Sequence, residues 1–171
     1  MKHLKSIILV AIMLISGISL SAQKFGHLNS RLLLMEMPEV KSADSEIEAF
    51  QKQLLAKGET MVTAFEANYK AYVEAANGGT LSALAMQEKE SQLRTEQQSI
   101  QNYEVEVQNK ISEKQQQLYA PLLDKVKAAI EKIGKENGYT MIFDTSVAGA
   151  IVHAEQSEDI LLLVKAELGI Q

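Results

Sequence analysis

The chain has 171 residues, no cysteine, no tryptophan, two prolines and a formal charge of −5, which excludes a disulfide-stapled scaffold and any cysteine-based zinc or redox site. With 17 basic and 22 acidic side chains and no basic run, it lacks the electrostatic footprint of a protein that binds nucleic acid or anionic membrane surfaces.

Residues 1–22 differ in composition from the rest. Lys2, His3 and Lys5 precede an apolar run from Ile7 to Ile15 that continues, diluted by Ser16, Gly17 and Ser19, to Leu20. A basic start, an apolar stretch too short to span a bilayer and the small residues Ser21 and Ala22 form the pattern of a secretory signal peptide. Cleavage after Ser21 and cleavage after Ala22 both fit, and a retained anchor is the competing reading. Removal of the signal predicts an exported protein with no stable membrane insertion, its remaining 15 basic and 22 acidic groups giving −7.

The next segment, Lys24 to Ser30, reads as a short strand closed by an Asn-Ser turn, and Arg31 to Met37 as a short helix. Pro38 suits a first helical position, where its missing N–H costs nothing, and Glu39 adds favourable charge there. From Glu39 to Ala76 apolar residues recur every seven positions at Val40, Ile47, Leu54 and Met61. A second line at Ala43 and Phe50 gives way to Phe65 and Tyr72. This narrow seam predicts a coiled-coil helix rather than one buried in a globule. Asn77-Gly78-Gly79 breaks it, with Thr80 as the expected N-cap of the next helix.

That second helix is predicted from Leu81 to Lys135, its seam running through Leu93, Ile100, Tyr103, Val107, Ile111, Leu118, Leu122, Val126, Ile130 and Ile133. Between Glu88 and Gln117 most other positions are Gln, Glu or Lys, so the helix must be solvated over most of its circumference. Pro121 is expected to kink or locally break it, since it removes one backbone hydrogen bond and crowds the preceding turn. After Asn137-Gly138, a strand is predicted at Tyr139 to Asp144, a turn at Thr145 to Gly149, and a second strand at Ala150 to Ala154 that pairs back on the first. Ser157 is the expected N-cap of a last helix from Glu158 to Leu168.

The fold class that follows is mainly α with a small β body, from which a long antiparallel helical hairpin projects. Residues 23–38 and 136–171 form the α/β body and residues 39–135 the coiled-coil arm, with its tip at 77–79. A body this small buries little surface, so oligomerisation through the sheet edges and the helix bases is expected.

In this order, the residues resemble the periplasmic chaperone family Skp, also called OmpH. The match rests on the Lys-Phe-Gly-His-Leu-Asn strand from Lys24, Pro-Glu-Val at Pro38 to Val40, a glycine-containing tip and a long polar second helix. Its most specific pieces are Tyr119-Ala-Pro-Leu-Leu-Asp-Lys-Val, Glu136-Asn-Gly-Tyr139, the strand ending at Asp144, and Asp159-Ile160 before the last helix. The family commonly has Asp-Ile-Thr at that last site, whereas this chain has Leu161. The resemblance implies a jellyfish-shaped homotrimer. Strands from three subunits would form its body, and three arms would enclose a cavity. It also implies a periplasmic, ATP-independent holdase for unfolded outer-membrane β-barrel proteins. The arms of well-known enterobacterial members are strongly basic, but residues 39–137 here carry 12 basic and 16 acidic groups. Recognition of clients or lipopolysaccharide by positive arms therefore does not transfer.

Met61, Phe65, Tyr69, Tyr72 and Met86, near the tip, are the candidate client contacts, because Met and Tyr adapt to varied partners. Most of them also suit the hairpin seam, whereas Tyr69 lies off it. Gly58 inside the first arm helix, with Pro121, suggests a flexible arm. Phe25, Leu28, Met141, Ile142, Phe143, Ile151 and Val152 are the candidate trimer-body residues. Lys125, Lys127, Lys132 and Lys135 read as a solvated helix face. No phosphate loop, nucleophile elbow or converging ligand set accompanies His27, His153 or Ser146, so no cofactor, metal or catalytic residue is expected. The competing function is a structural or adaptor envelope protein whose coiled-coil arm binds one folded partner.

Overall fold

The computed structural model describes residues 23–149, 151–154 and 156–170; the predicted signal peptide lies outside them. Strand β1 (Lys24–Leu28) leads into helix α1 (Ser30–Glu36), whose N-cap Asn29 accepts a hydrogen bond from the Leu32 N–H. Helix α2 (Pro38–Asn77) starts with Pro38 in its first turn and Glu39 beside it. Helix α3 (Ala83–Glu136) packs antiparallel along α2 and is followed by β2 (Tyr139–Asp144), β3 (Ser157–Asp159) and helix α4 (Leu161–Leu168). At 40 and 54 residues, α2 and α3 reach roughly 60 and 80 Å, at about 1.5 Å per residue.

Several boundaries differ from the sequence reading. The N-cap of α3 is Ser82, whose hydroxyl accepts from the Ala85 N–H at 3.2 Å. Thr80 instead donates its hydroxyl to the Ala75 carbonyl, closing the preceding helix. Pro121 does not break α3, which stays continuous through it.

The sheet departs further. Residues 151–154 are not a strand, and the third strand is Ser157–Asp159, inside what was expected to be the cap and start of the last helix. Strand order is β2-β1-β3, and both flanking strands run parallel to β1. The cause lies at the end of β2. Thr145 donates its N–H and hydroxyl to the Leu28 carbonyl, at 2.8 and 3.1 Å, ending the ladder. The chain then crosses to the other edge of β1, where the Ser157 hydroxyl meets His27 Nδ1 at 2.8 Å. Asp159 accepts the Leu161 N–H at 2.9 Å, so the last helix starts two residues after the strand rather than at Glu158.

One face of the sheet joins a core made by Leu28, Leu33, Met37, Val40, Val126, Ala129, Ile133, Ile160 and Val164. The bases of α2 and α3 therefore share one core with the sheet and the two short helices. Gly26 is required there by close approach. A Cβ at this position would lie 3.1 Å from the Tyr139 ring and 3.3 Å from Ile160. A smaller device ties β2 to α1. Asp144 accepts hydrogen bonds from the Ser30 hydroxyl and N–H and from the Ser146 N–H.

Burial raises the Asp144 pKa, but these hydrogen bonds outweigh it and hold the carboxyl below its ordinary 3.8. A depressed folded-state pKa contributes stability above the unfolded value and loses it as pH falls through the folded one. Asp144→Asn is therefore expected to lower the melting temperature at neutral pH. The gap from the unsubstituted protein should close as pH drops below 3.8, as followed by circular dichroism.

Candidate functional site

Between α2 and α3 the heptad seam is narrow. Leu54, Tyr103 and Val107 are buried in its middle, with Phe50, Met61 and Ile111 packed beside them. Tyr103 donates its hydroxyl to the Leu54 carbonyl at 3.0 Å, which ties the two helices together by a polar contact that apolar spacing cannot reveal. The Tyr103 ring covers Gly58, where an added Cβ would lie 3.5 Å from the ring, an ordinary contact. Gly58 is thus a packing position against Tyr103, on the floor of a groove of about 230 Å³ that includes Leu55, Val62 and Glu104. Because alanine fits this space and a helix-interior glycine costs about 0.8–1.0 kcal/mol relative to alanine, Gly58→Ala is expected to raise arm stability by up to about that amount. Thermal denaturation checks this.

Toward the tip, Phe65 and Tyr69 stack with ring centroids 6.2 Å apart. Tyr69 is 53% exposed, whereas Met61, Phe65, Tyr72 and Met86 are half-buried. Tyr72 donates its hydroxyl to Glu90 at 2.7 Å, and this bond holds its pKa above the ordinary 10.0. Phe65, Tyr69 and Tyr72 line one shallow groove with Leu93 and Arg94, while Met86 does not line it. Leu55, Val62, Leu84 and Val105 are exposed apolar residues of the hairpin that were not singled out from the sequence. Leu55, Val62 and Tyr69 follow one another at intervals of seven residues, a second heptad line beside the seam that the stronger Val40-to-Met61 line obscured.

At the other end of the molecule, the sheet face turned away from the core is open. Phe25, Phe143, Ile151 and Val152 line a groove of about 580 Å³ with His153 and Ser157, and the Phe25 and Phe143 rings lie 6.4 Å apart. Met141, paired with Phe25 across the ladder, is 54% exposed. Of the expected body residues, Leu28 is buried in the core and Ile142 is half-buried against it. Strand alternation explains the split, since Gly26, Leu28 and Ile142 point to one face while Phe25, Met141 and Phe143 point to the other.

Two of the four lysines near the hairpin base are committed to ion pairs. Lys125 pairs with Glu39 at 2.6 Å and Lys132 with Glu167 at 2.8 Å. Among the described residues no group of three or more His, Asp or Glu is placed to hold a metal, and no helix is long and apolar enough to cross a membrane.

The fold has a counterpart among solved structures. The chain superimposes on a crystal structure from Caulobacter crescentus described as a candidate outer membrane chaperone (OmpH-like). The TM-score is 0.72 at 16% identity, covering 86% of this chain and 85% of that one. This likeness shows a shared fold. No curated protein sequence matches. The family model for outer membrane protein (OmpH-like) matches residues 24–168, from the first residue of β1 to the last of α4, and the chain therefore belongs to the OmpH-like family.

Proposed function

We propose that the protein is a periplasmic chaperone, an ATP-independent holdase that binds unfolded outer-membrane β-barrel proteins and keeps them from aggregating before membrane assembly. In this reading three chains join through their sheet-bearing bodies, residues 23–38 and 136–171, and three hairpins, residues 39–135, surround the client. Membership of the OmpH-like family supports a chaperone role. The observation that carries the reading is the exposed apolar line Leu55, Val62 and Tyr69, which runs along one side of a hairpin whose outer surface is mostly polar and solvated. A shallow apolar line on a long solvated arm suits a client without a fixed shape, whereas a folded partner calls for a contiguous shape-matched patch.

The test dilutes a urea-unfolded outer-membrane β-barrel protein into this protein without ATP and follows light scattering. Suppressed aggregation at a small molar excess of trimer is expected. Unchanged aggregation would overturn the holdase reading and favour an adaptor that binds one folded partner.

A further inference from the structure

The two flanks of the hairpin seam are unlike each other. Positions seven apart on a helix differ by only about 20°, so Leu55, Val62 and Tyr69 share one flank of α2. Glu59 and Glu66, each four residues beyond an apolar member of that line, lie on the same face. Across the groove from Leu55 and Val62 stands Glu104. None of these three carboxylates has an ion-pair or hydrogen-bond partner among the described residues. The basic residues of this flank between positions 52 and 70 are Lys52, tied to Glu48 at 2.6 Å, and the unpaired Lys70. Arg94, on α3, is held to Glu90 at 3.7 Å.

The opposite flank is neutralised within the hairpin. There Lys114 pairs with Glu46 at 2.5 Å, Lys110 with Glu106 at 2.6 Å, and the Lys57 ammonium sits 4.9 Å from the Tyr103 ring centroid.

We propose that the Leu55–Val62–Tyr69 flank, with Glu59, Glu66 and Glu104 beside it, selects unfolded polypeptide segments in which apolar side chains are interleaved with lysine or arginine. This deepens the holdase reading and rests on it for the identity of the clients, but the recognition chemistry is read from the flank alone. The exposed Leu, Val and Tyr supply adaptable apolar contact. The three carboxylates, uncommitted inside the hairpin, gain partners only from a ligand. A segment carrying carboxylates would meet like charge on this flank and no free cation except Lys70.

The experiment uses the full mature chain and short fluorescein-labelled peptides, read by anisotropy. One peptide alternates Leu and Tyr with Lys, a second replaces each Lys by Glu, and a third keeps Lys but replaces Leu and Tyr by Ser. The first is expected to bind about tenfold tighter than the second, since each exposed charge contact supplies about 0.2–1 kcal/mol. That preference should collapse in about 1 M salt, where the screening length is about 3 Å. The third peptide should bind at least as weakly as the second.

Glu59→Gln/Glu66→Gln/Glu104→Gln should erase the preference for Lys over Glu while leaving helicity intact, because all three side chains are exposed. Leu55→Ser/Val62→Ser/Tyr69→Ser should weaken binding of both apolar peptides. A control that removes two carboxylates elsewhere on α3, Glu88→Gln/Glu113→Gln, should change neither.

Absence of peptide binding would overturn the proposal, as would a Lys preference that survives the triple Gln substitution. So would a loss of self-association, rather than of peptide binding, in the Ser variant, since that would make the flank a contact between copies. Aggregation suppression measured in parallel separates the two readings. A protein that suppresses aggregation but shows no flank-dependent preference remains a holdase without this selectivity. One that binds the Lys peptide through the flank yet fails to suppress aggregation keeps the flank assignment and loses the holdase.

Discussion

Ile160→Ala is expected to unfold the sheet-bearing body at temperatures where much of the hairpin remains helical. Ile160 is fully buried in a core that draws on β1, α1, α3 and α4. Its N–H donates to the His27 carbonyl at 2.9 Å and its carbonyl accepts from Val164 at 3.0 Å, so the backbone cannot shift to fill the space a shorter side chain leaves. Truncation of a buried Ile to Ala costs about 2–5 kcal/mol, a large share of what a small body can hold. The seam around Leu54, Tyr103 and Val107 is a separate cluster farther along the hairpin and loses no contact. The measurement is a thermal scan with two probes, far-ultraviolet circular dichroism for helix and the tyrosine near-ultraviolet signal, to which Tyr119 and Tyr139 contribute from this core and Tyr69, Tyr72 and Tyr103 from the hairpin. An early partial loss of the tyrosine signal followed by a later helical transition is expected. A single coincident transition would show that body and hairpin melt together, and an unchanged profile would show that Ile160 does not carry the core.

How far the sequence reveals this architecture depends on the kind of signal each part leaves. The two long helices follow from heptad spacing, which survives because the hairpin buries a single stripe. The sheet is less legible, because parallel pairing of β2 and β3 with β1 depends on partners more than one hundred positions away in the chain. A segment such as Ala150 to Ala154 has strand-like composition and lies close enough to β2 to suggest a hairpin. The ladder instead closes on Ser157–Asp159, whose polar composition resembles a helix start. Their backbone meets β1, and the Ser157 hydroxyl lies within hydrogen-bond distance of His27 Nδ1; no periodicity encodes either fact. At the candidate site, the aromatic residues near the tip stand out by type, but the line of Leu55 and Val62 does not. Its members differ from the seam only by one position along the helix, and only the packed hairpin shows which of two adjacent lines is covered. Gly58 is similar. From the sequence it resembles a hinge, and beside the Tyr103 ring it is a space left open.

Met141→Asp/Phe143→Asp is expected to convert the proposed trimer into monomers while leaving each chain folded. Both side chains lie on the sheet face turned from the core and are exposed in the single chain, so carboxylates there remain solvated in a monomer. In an assembly that stacks these faces, each chain would bury two charges with no partner. Several kcal/mol per uncompensated ion, repeated in every subunit, opposes that association. The nearby apolar residues Phe25, Ile151 and Val152, the last 94% exposed, mark the same patch as one that a monomer leaves wet. A three-stranded sheet with one open apolar face is the kind of small body that gains stability by association. Analytical ultracentrifugation at micromolar concentration should show a trimer with a high frictional ratio for the unsubstituted chain and a monomer for the variant, with helical content preserved. If holding a client requires several hairpins around it, suppression of aggregation should fall with the trimer even though every Leu55, Val62 and Tyr69 remains in place. A variant that still sediments as a trimer would place the subunit contact away from this face. A monomer that retains full aggregation suppression would show that a single hairpin is sufficient, and that the enclosed cavity is not the working element.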